Sequence, residues 1–258
     1  DEIAPEIARA VARRDLKRVC LQVIDNEESW DNTIDSLKRL VQTGCKPICV
    51  SSHIETPEQA KVILAAGAER ICLALDAATP AIYRKVKDGD WEKRWSLLKE
   101  CAQALPGVVT THLIVGLGET EEEMIDRIAA CLAMGVTVGL FAFTPVRGTA
   151  LAAHRPPAIA HYRRIQIAYY LMRRGYSRDM IHCDQGIITG FAIPDWPAIL
   201  ADGKAFETTG CPDCNRPYYN ERPGGILYNY PRPLTGAEIR QALRESQIGG
   251  DSDALAGP

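Results

Sequence analysis

The chain has 258 residues, 46% of them apolar and 24% charged, with a formal net charge of −3. This is the balance of a globular domain, and its mild acidity excludes a surface built for nucleic acid or anionic lipid. No apolar run reaches the length of a membrane span and no signal-peptide pattern opens the chain, so neither nucleic acid nor membrane is expected as a partner.

Short apolar runs alternate with helical patterns up to about residue 180. Strands are expected at 18–24, 47–51, 70–75, 108–115 and 136–143. The helices expected between and after them cover 30–42, 57–66, 91–104, 121–134 and 159–174. Gly44, Gly67, Gly135 and Gly175 stand where helices end. Regular βα repeats without a topological break predict a (β/α) barrel of the TIM type rather than a doubly wound sheet. Beyond 180 the pattern loosens, with possible strands at 180–183 and 205–209. The barrel with its Pro/Gly/aromatic tail is expected to occupy 1–234, and a C-terminal helix with a flexible end 235–258. No second domain is expected.

Nine cysteines, an odd number scattered over strands plus one Cys211-Pro-Asp-Cys214, fit reduced thiols or metal thiolates better than a disulfide framework. A cytoplasmic location is therefore expected. Two thiolates at the Cys211/Cys214 spacing can serve one metal centre, but supply only half of its ligands.

Barrel chemistry sits where strands end. The positions that meet this description are Ser51 to His53, Asp76, Glu119, Thr144 to Thr149 and the Cys211/Cys214 pair. Gly116-Leu-Gly118-Glu119-Thr120 lets backbone approach a ligand closely at the start of a helix. Each residue also has a plain reading. Asp76 caps the next helix, Arg94 is a solvated helix charge, His112 is a satisfied buried polar group, and strand cysteines are small hydrophobes. From the residues alone, a barrel with a phosphate cradle at Gly116/Gly118 and a metal-binding partner subunit both remain open.

Taken together, Leu75-Asp-Ala-Ala-Thr-Pro80, Ile114-Val-Gly-Leu-Gly-Glu-Thr120 and Phe143-Thr-Pro-Val-Arg-Gly-Thr149 resemble the radical S-adenosylmethionine (SAM) superfamily, in its biotin synthase-like branch. The tail from Gly210 to Pro223, with Tyr228-Asn-Tyr-Pro231, looks like a two-component, archaeal-type lipoyl synthase. The resemblance implies SAM and a [4Fe-4S] cluster as cofactors. It implies a 5′-deoxyadenosyl radical that abstracts hydrogen, and sulfur insertion into a protein-bound octanoyl chain. The expected partners are a second radical SAM subunit, an octanoylated carrier protein or domain, and a reductant such as ferredoxin or flavodoxin.

Residue by residue, it puts Asp76 on the SAM ribose and Arg94 on the SAM carboxylate. Ile114, Phe143 and Thr144 flank the adenine, with Gly116, Gly118 and Glu119 forming the adjoining turn. Cys20 and Cys49 align with auxiliary-cluster positions, the third of which is Thr110 here and the fourth His182. Cys211 and Cys214 would complete an auxiliary [4Fe-4S] site with them, Cys183 and Cys72 being reserves. The superfamily's Cys-x-x-x-Cys-x-x-Cys is absent from these residues. The resemblance places it on the loop after a first barrel strand, upstream of Asp1.

Overall fold

The computed structural model describes residues 9, 17–24, 28–87, 89–216 and 224–248. Strands β1 (Val19–Gln22), β2 (Ile48–Ser51), β3 (Arg70–Cys72), β4 (Val109–Val115) and β5 (Thr137–Ala142) form one parallel sheet in sequence order. Helices α1 (Ser29–Gln42), α2 (Pro57–Ala65), α3 (Pro80–Val86) with α4 (Trp91–Ala104), and α5 (Glu121–Ala133) make the crossovers. Right-handed crossovers that always step to the next strand keep every helix on one face, and the sheet curls around the other. The expected TIM-type barrel is thus, among the described residues, a five-stranded half-barrel.

The register fixes which side chains share the inner face. Cys20 pairs with Cys49, Cys72 with Thr110, and His112 with Gly139. Because side chains alternate along a strand, this row stands on the concave side. The opposite side carries Ile48, Val50, Ile71, Leu73, Leu113, Val115 and Val138, all fully buried against Leu37, Ile63, Leu98 and Ile128 from the helices. Each such side chain contributes about 1.5–3 kcal/mol by leaving water.

Local chemistry sets the helix starts. Thr56 with Gln59, and Thr120 with Glu123, form capping boxes at α2 and α5. Thr79, not Asp76, caps α3, its hydroxyl accepting the Ile82 N–H. The plain reading of Asp76 as a cap is therefore excluded.

Beyond β5 come α6 (Ile159–Arg173), β6 (Ile181–Asp184), β7 (Ile187–Phe191), α7 (Trp196–Ile199) and α8 (Gly236–Ser246). The expected strand at 180–183 does not extend the main sheet. It pairs with β7 in a separate antiparallel hairpin. Gln185 and Gly186 both have positive φ, as a tight two-residue hairpin turn requires. The expected strand at 205–209 is a 3₁₀ turn over Lys204–Phe206, followed by an isolated bridge between Glu207 and Tyr230.

Helix α6 is apolar on two sides, so it packs on the sheet and on a second core built from Leu200, Phe206 and Leu243. Its Tyr169 hydroxyl donates to the Val138 carbonyl at 2.6 Å. The fully buried Arg163 donates to the carbonyls of Leu227 and Tyr228 and pairs with Glu245 at 2.9 Å. The segment after residue 224 is thereby tied to α6.

Candidate functional site

Two groups of residues lie side by side at the sheet. The first is at the carboxyl ends of β3, β4 and β5. Asp76 follows β3 with φ of 63°, a left-handed conformation that Asp tolerates. Its backbone stays in the ladder, its N–H donating to His112 O at 2.9 Å while its C=O accepts from Ile114 N at 2.8 Å. The strain therefore serves to aim the carboxylate, whose Oδ2 pairs with Lys87 Nζ at 2.6 Å.

Arg94 is buried, not solvated as its position on α4 suggests. Its Nε donates to Ala74 O and its Nη1 to Ile54 O, both at 3.3 Å. No carboxylate pairs with it among the described residues. A buried guanidinium held only by carbonyls keeps its charge available for an anion.

In the glycine turn, Glu119 accepts from Gly116 N at 2.6 Å and Leu117 N at 2.9 Å. Burial pushes its carboxyl up, opposed by those amides. Gly116 has φ of 99°, and a Cβ there would meet Pro157 Cδ at 2.8 Å. The His154 ring contacts Gly116 O at 2.9 Å and packs edge-on against Phe143. Phe143 donates its N–H to Val115 O at 2.8 Å, and Ile114 and Thr144 are half-buried beside it.

The second group lines a cavity of about 820 Å³ on the concave face. Cys20, Cys49, Cys211 and Cys214 all lie on its wall. The Cys49 and Cys211 sulfurs are 3.4 Å apart. Cys49 keeps its proton and shares it with its neighbours, so its own pKa is pushed up while Cys20 and Cys211 are drawn down to about 7. Arg18, Arg70 and His112 add to the lowering at Cys211. Burial pushes Cys214 up, although its sulfur accepts the Arg216 backbone N–H.

Glycine at two positions brings the tail here. Gly210 crosses β5 at Gly139, and a Cβ on Gly139 would lie 3.7 Å from the Gly210 Cα and 3.3 Å from the His112 ring. The Leu140 N–H donates to Thr209 Oγ1 at 2.8 Å, and Arg18 Nε donates to Pro212 O at 2.8 Å.

The reserve cysteines are elsewhere. Cys72 ends β3 between Ser51 and Thr110, where burial raises its thiol to about 12. Cys183 is on the hairpin, 3.9 Å from Arg178, and its neighbour His182 is exposed. Neither lines the cavity. Asp76, Arg94, Ile114, Gly116, Gly118, Glu119, Phe143 and Thr144 do not line it either. His112 joins the two groups: its carbonyl holds Asp76 while its ring lines the thiol cavity. That ring touches Phe141 edge-on and makes no hydrogen bond among the described residues. Arg18 and Lys87 escaped sequence reasoning, because nothing in their local patterns marks their long-range partners.

Among the described residues, no three His, Cys, Asp or Glu side chains are placed to share a single metal ion. A polynuclear iron–sulfur cluster asks for a different arrangement, standing between thiolates and spreading them apart, and four thiols on one cavity wall are the donor set it takes.

The Radical SAM superfamily profile matches residues 1–131. The chain belongs to the radical SAM superfamily. Among relatives, it is 29% identical to a lipoyl synthase of Deinococcus radiodurans over 146 residues, covering 52% of this chain and 44% of that protein. It is 28% identical to a lipoyl synthase of Acidovorax ebreus over 148 residues, covering 52% and 45%. A biotin synthase of Desulforudis audaxviator is 28% identical over 172 residues, covering 64% and 52%. The chain thus spans about half the length of these curated relatives.

The fold is similar to that of HydG, a maturase of the [FeFe]-hydrogenase, with a TM-score of 0.54 at 14% identity over 64% of this chain and 42% of the other. The HydG structure from Carboxydothermus hydrogenoformans gives 0.52 at 17% identity, covering 67% and 43%. Membership removes the phosphate-cradle alternative and implies SAM and a [4Fe-4S] cluster. No helix among the described residues is long and apolar enough to cross a membrane.

Proposed function

We propose that this chain is a sulfur-inserting radical SAM enzyme, the subunit of a two-component, archaeal-type lipoyl synthase. The observation that carries the reading is the convergence of Cys20, Cys49, Cys211 and Cys214 on one cavity beside the Asp76–Glu119 rim. SAM with its [4Fe-4S] cluster supplies, when bound, an organic radical that abstracts hydrogen from an unactivated carbon. Cys20, Cys49, Cys211 and Cys214 would hold an auxiliary [4Fe-4S] cluster, whose chemistry there would be sulfur donation.

The chain's own residues position and shield. Asp76 accepts from a vicinal diol, the SAM ribose, in exchange for part of its contact with Lys87. Arg94 binds the SAM carboxylate through a charge-assisted bond, strong because the guanidinium is buried. Glu119 fixes the Gly116–Leu117 amides so that Ile114, Phe143 and Thr144 can enclose the adenine. The concave wall excludes water from a radical that attacks whatever lies nearest.

The acyl chain is presented in amide linkage on a lysine of a carrier protein. A second radical SAM subunit shares the reaction, ferredoxin or flavodoxin delivers electrons, and the reducing cytoplasm keeps the thiols available. Anaerobic reconstitution of the intact protein tests the reading. About eight irons with reductive SAM cleavage supports it, while four irons without cleavage identifies a cluster-binding partner subunit instead.

A further inference from the structure

Arg18 stands one residue before β1 and shares the concave side with Cys20, two positions on. Its Nε donates at 2.8 Å to Pro212 O, the carbonyl between Cys211 and Cys214. Its Nη2 spans past β2 to Glu69, which precedes β3, at 2.9 Å. The Arg18 side chain is 6% exposed, that of Glu69 44%. Nη1 is buried and has no hydrogen-bond partner among the described residues.

Glu69 also faces a second guanidinium. Arg70 Nε lies 3.8 Å from it, beyond hydrogen-bond reach, and is itself buried and unsatisfied. Two cations thus share one half-exposed carboxylate, and a positive charge is left uncompensated beside the Cys211–Cys214 loop. Taking a guanidinium out of water is costly unless its charge and its N–H groups are matched. A tether on Pro212 O needs only one donor, which a neutral amide could supply. The surplus charge calls for an anion, and the groups at hand are the cavity's thiols. Four thiolates on an oxidised [4Fe-4S] core form a dianion, and its potential is set in part by the charge around it.

The other polar side chains on this wall are placed differently. Gln22, Asn215 and Arg216 are exposed, where water weakens a charge or dipole. Asp213 faces Lys17 at 3.9 Å, both of them well exposed. Burial pushes the His112 ring down from its ordinary range, so it is uncharged near neutral pH.

We infer that Arg18 is a positioning residue for the auxiliary cluster: it pins the Cys211–Cys214 loop through Pro212, and its buried charge favours the reduced, more negative form of the cluster. This rests on the auxiliary-cluster reading above and adds to it the group that sets the redox poise.

The test is an EPR-monitored redox titration of the reconstituted intact protein, the auxiliary signal being the one that Cys211→Ala removes. Arg18→Gln keeps a donor for Pro212 O and loses the cation. At a fixed potential it is expected to lower the reduced-to-oxidised ratio of that cluster about tenfold, equivalent to about 59 mV for one electron. Arg18→Lys keeps the charge and should stay near wild type. Glu69→Gln leaves the tether alone and frees the Arg18 charge, so the ratio should rise, by less than tenfold because Glu69 is half-exposed. Shifts of opposite sign are not produced by a purely structural role. Should Arg18→Gln fail to hold iron, Glu69→Gln decides: a rise supports the inference, and an unchanged or lowered potential overturns it. An Arg18→Lys shift as large as that of Arg18→Gln also overturns the role of Arg18 and leaves the cluster in place. Wild-type protein with no signal that Cys211→Ala removes overturns the auxiliary-cluster reading, and this inference with it.

Discussion

The sulfurs of Cys49 and Cys211 stand 3.4 Å apart across 162 residues of chain. Cys49 is a strand residue in register with Cys20, while Cys211 belongs to a tail that reaches it only because Gly210 slides over Gly139. Exchanging either cysteine for alanine is expected to remove about four of eight irons after reconstitution, leaving SAM cleavage in place. Cys72→Ala, one strand further on, should keep them all. Iron analysis and sulfur transfer in the three variants decide the matter; full iron in Cys211→Ala would discard the auxiliary-cluster assignment.

The same thiols report on themselves before any cluster is loaded. Cys20 and Cys211 titrate at about 7, since the Cys49 proton and nearby cations favour their thiolates. Only the thiolate is nucleophilic, so alkylation should be half-maximal near pH 7 and fall away below it. Cys72 and Cys131, raised to about 12 by burial, should stay unlabelled across that range. Mass-spectrometric mapping of iodoacetamide adducts against pH measures this directly.

Asp76 separates charge from conformation. Asparagine also tolerates positive φ, so Asp76→Asn should fold normally while weakening SAM binding about tenfold or more. Arg94→Gln removes a buried cation that no carboxylate pairs with among the described residues and should have a similar effect. Equilibrium dialysis with SAM, alongside thermal melts, distinguishes lost binding from lost folding.

Glu119 holds two backbone amides, and Glu119→Ala orphans both in a buried turn. The cost is about 1–3 kcal/mol per unsatisfied group. Glu119→Gln keeps one acceptor and should fall between. Denaturant unfolding of the three proteins should rank them wild type, Gln, Ala; equal midpoints would show that the turn holds itself.

Gly139→Ala tests how the tail reaches the sheet. Its new Cβ would press on His112 at 3.3 Å and touch Gly210 Cα at 3.7 Å. Overpacking of this kind costs about 1–3 kcal/mol, and here it should also lower iron retention, because the displaced segment carries Cys211. A variant with reduced stability but full iron would locate the strain elsewhere.

The βα order, the strand positions and the identity of nearly every helix were legible in local periodicity, because the helix-facing side of each strand must be apolar and the helices between them carry an apolar stripe to cover it. The Gly116–Glu119 turn was legible for the same local reason: a carboxylate three residues after a glycine can reach back to its amide. The hairpin at β6 and β7 was misread as a barrel strand, since a run as short as Met180-Ile-His-Cys183 looks alike in either setting. Its Gln185-Gly186 turn was the overlooked signal.

What the sequence alone determined is the order of the βα units, the superfamily and the residues available for chemistry; that the sheet is a half-barrel of five strands among the described residues came from the structure. Which cysteines meet was decided only by tertiary structure. Cys20, Cys49, Cys72, Cys183 and Cys211 are the same residue type, and strand register, the Gly139–Gly210 crossing and the Arg163 anchor select among them. His112 likewise gains its place from Asp76 and Phe141, partners distant in the chain that no local pattern encodes.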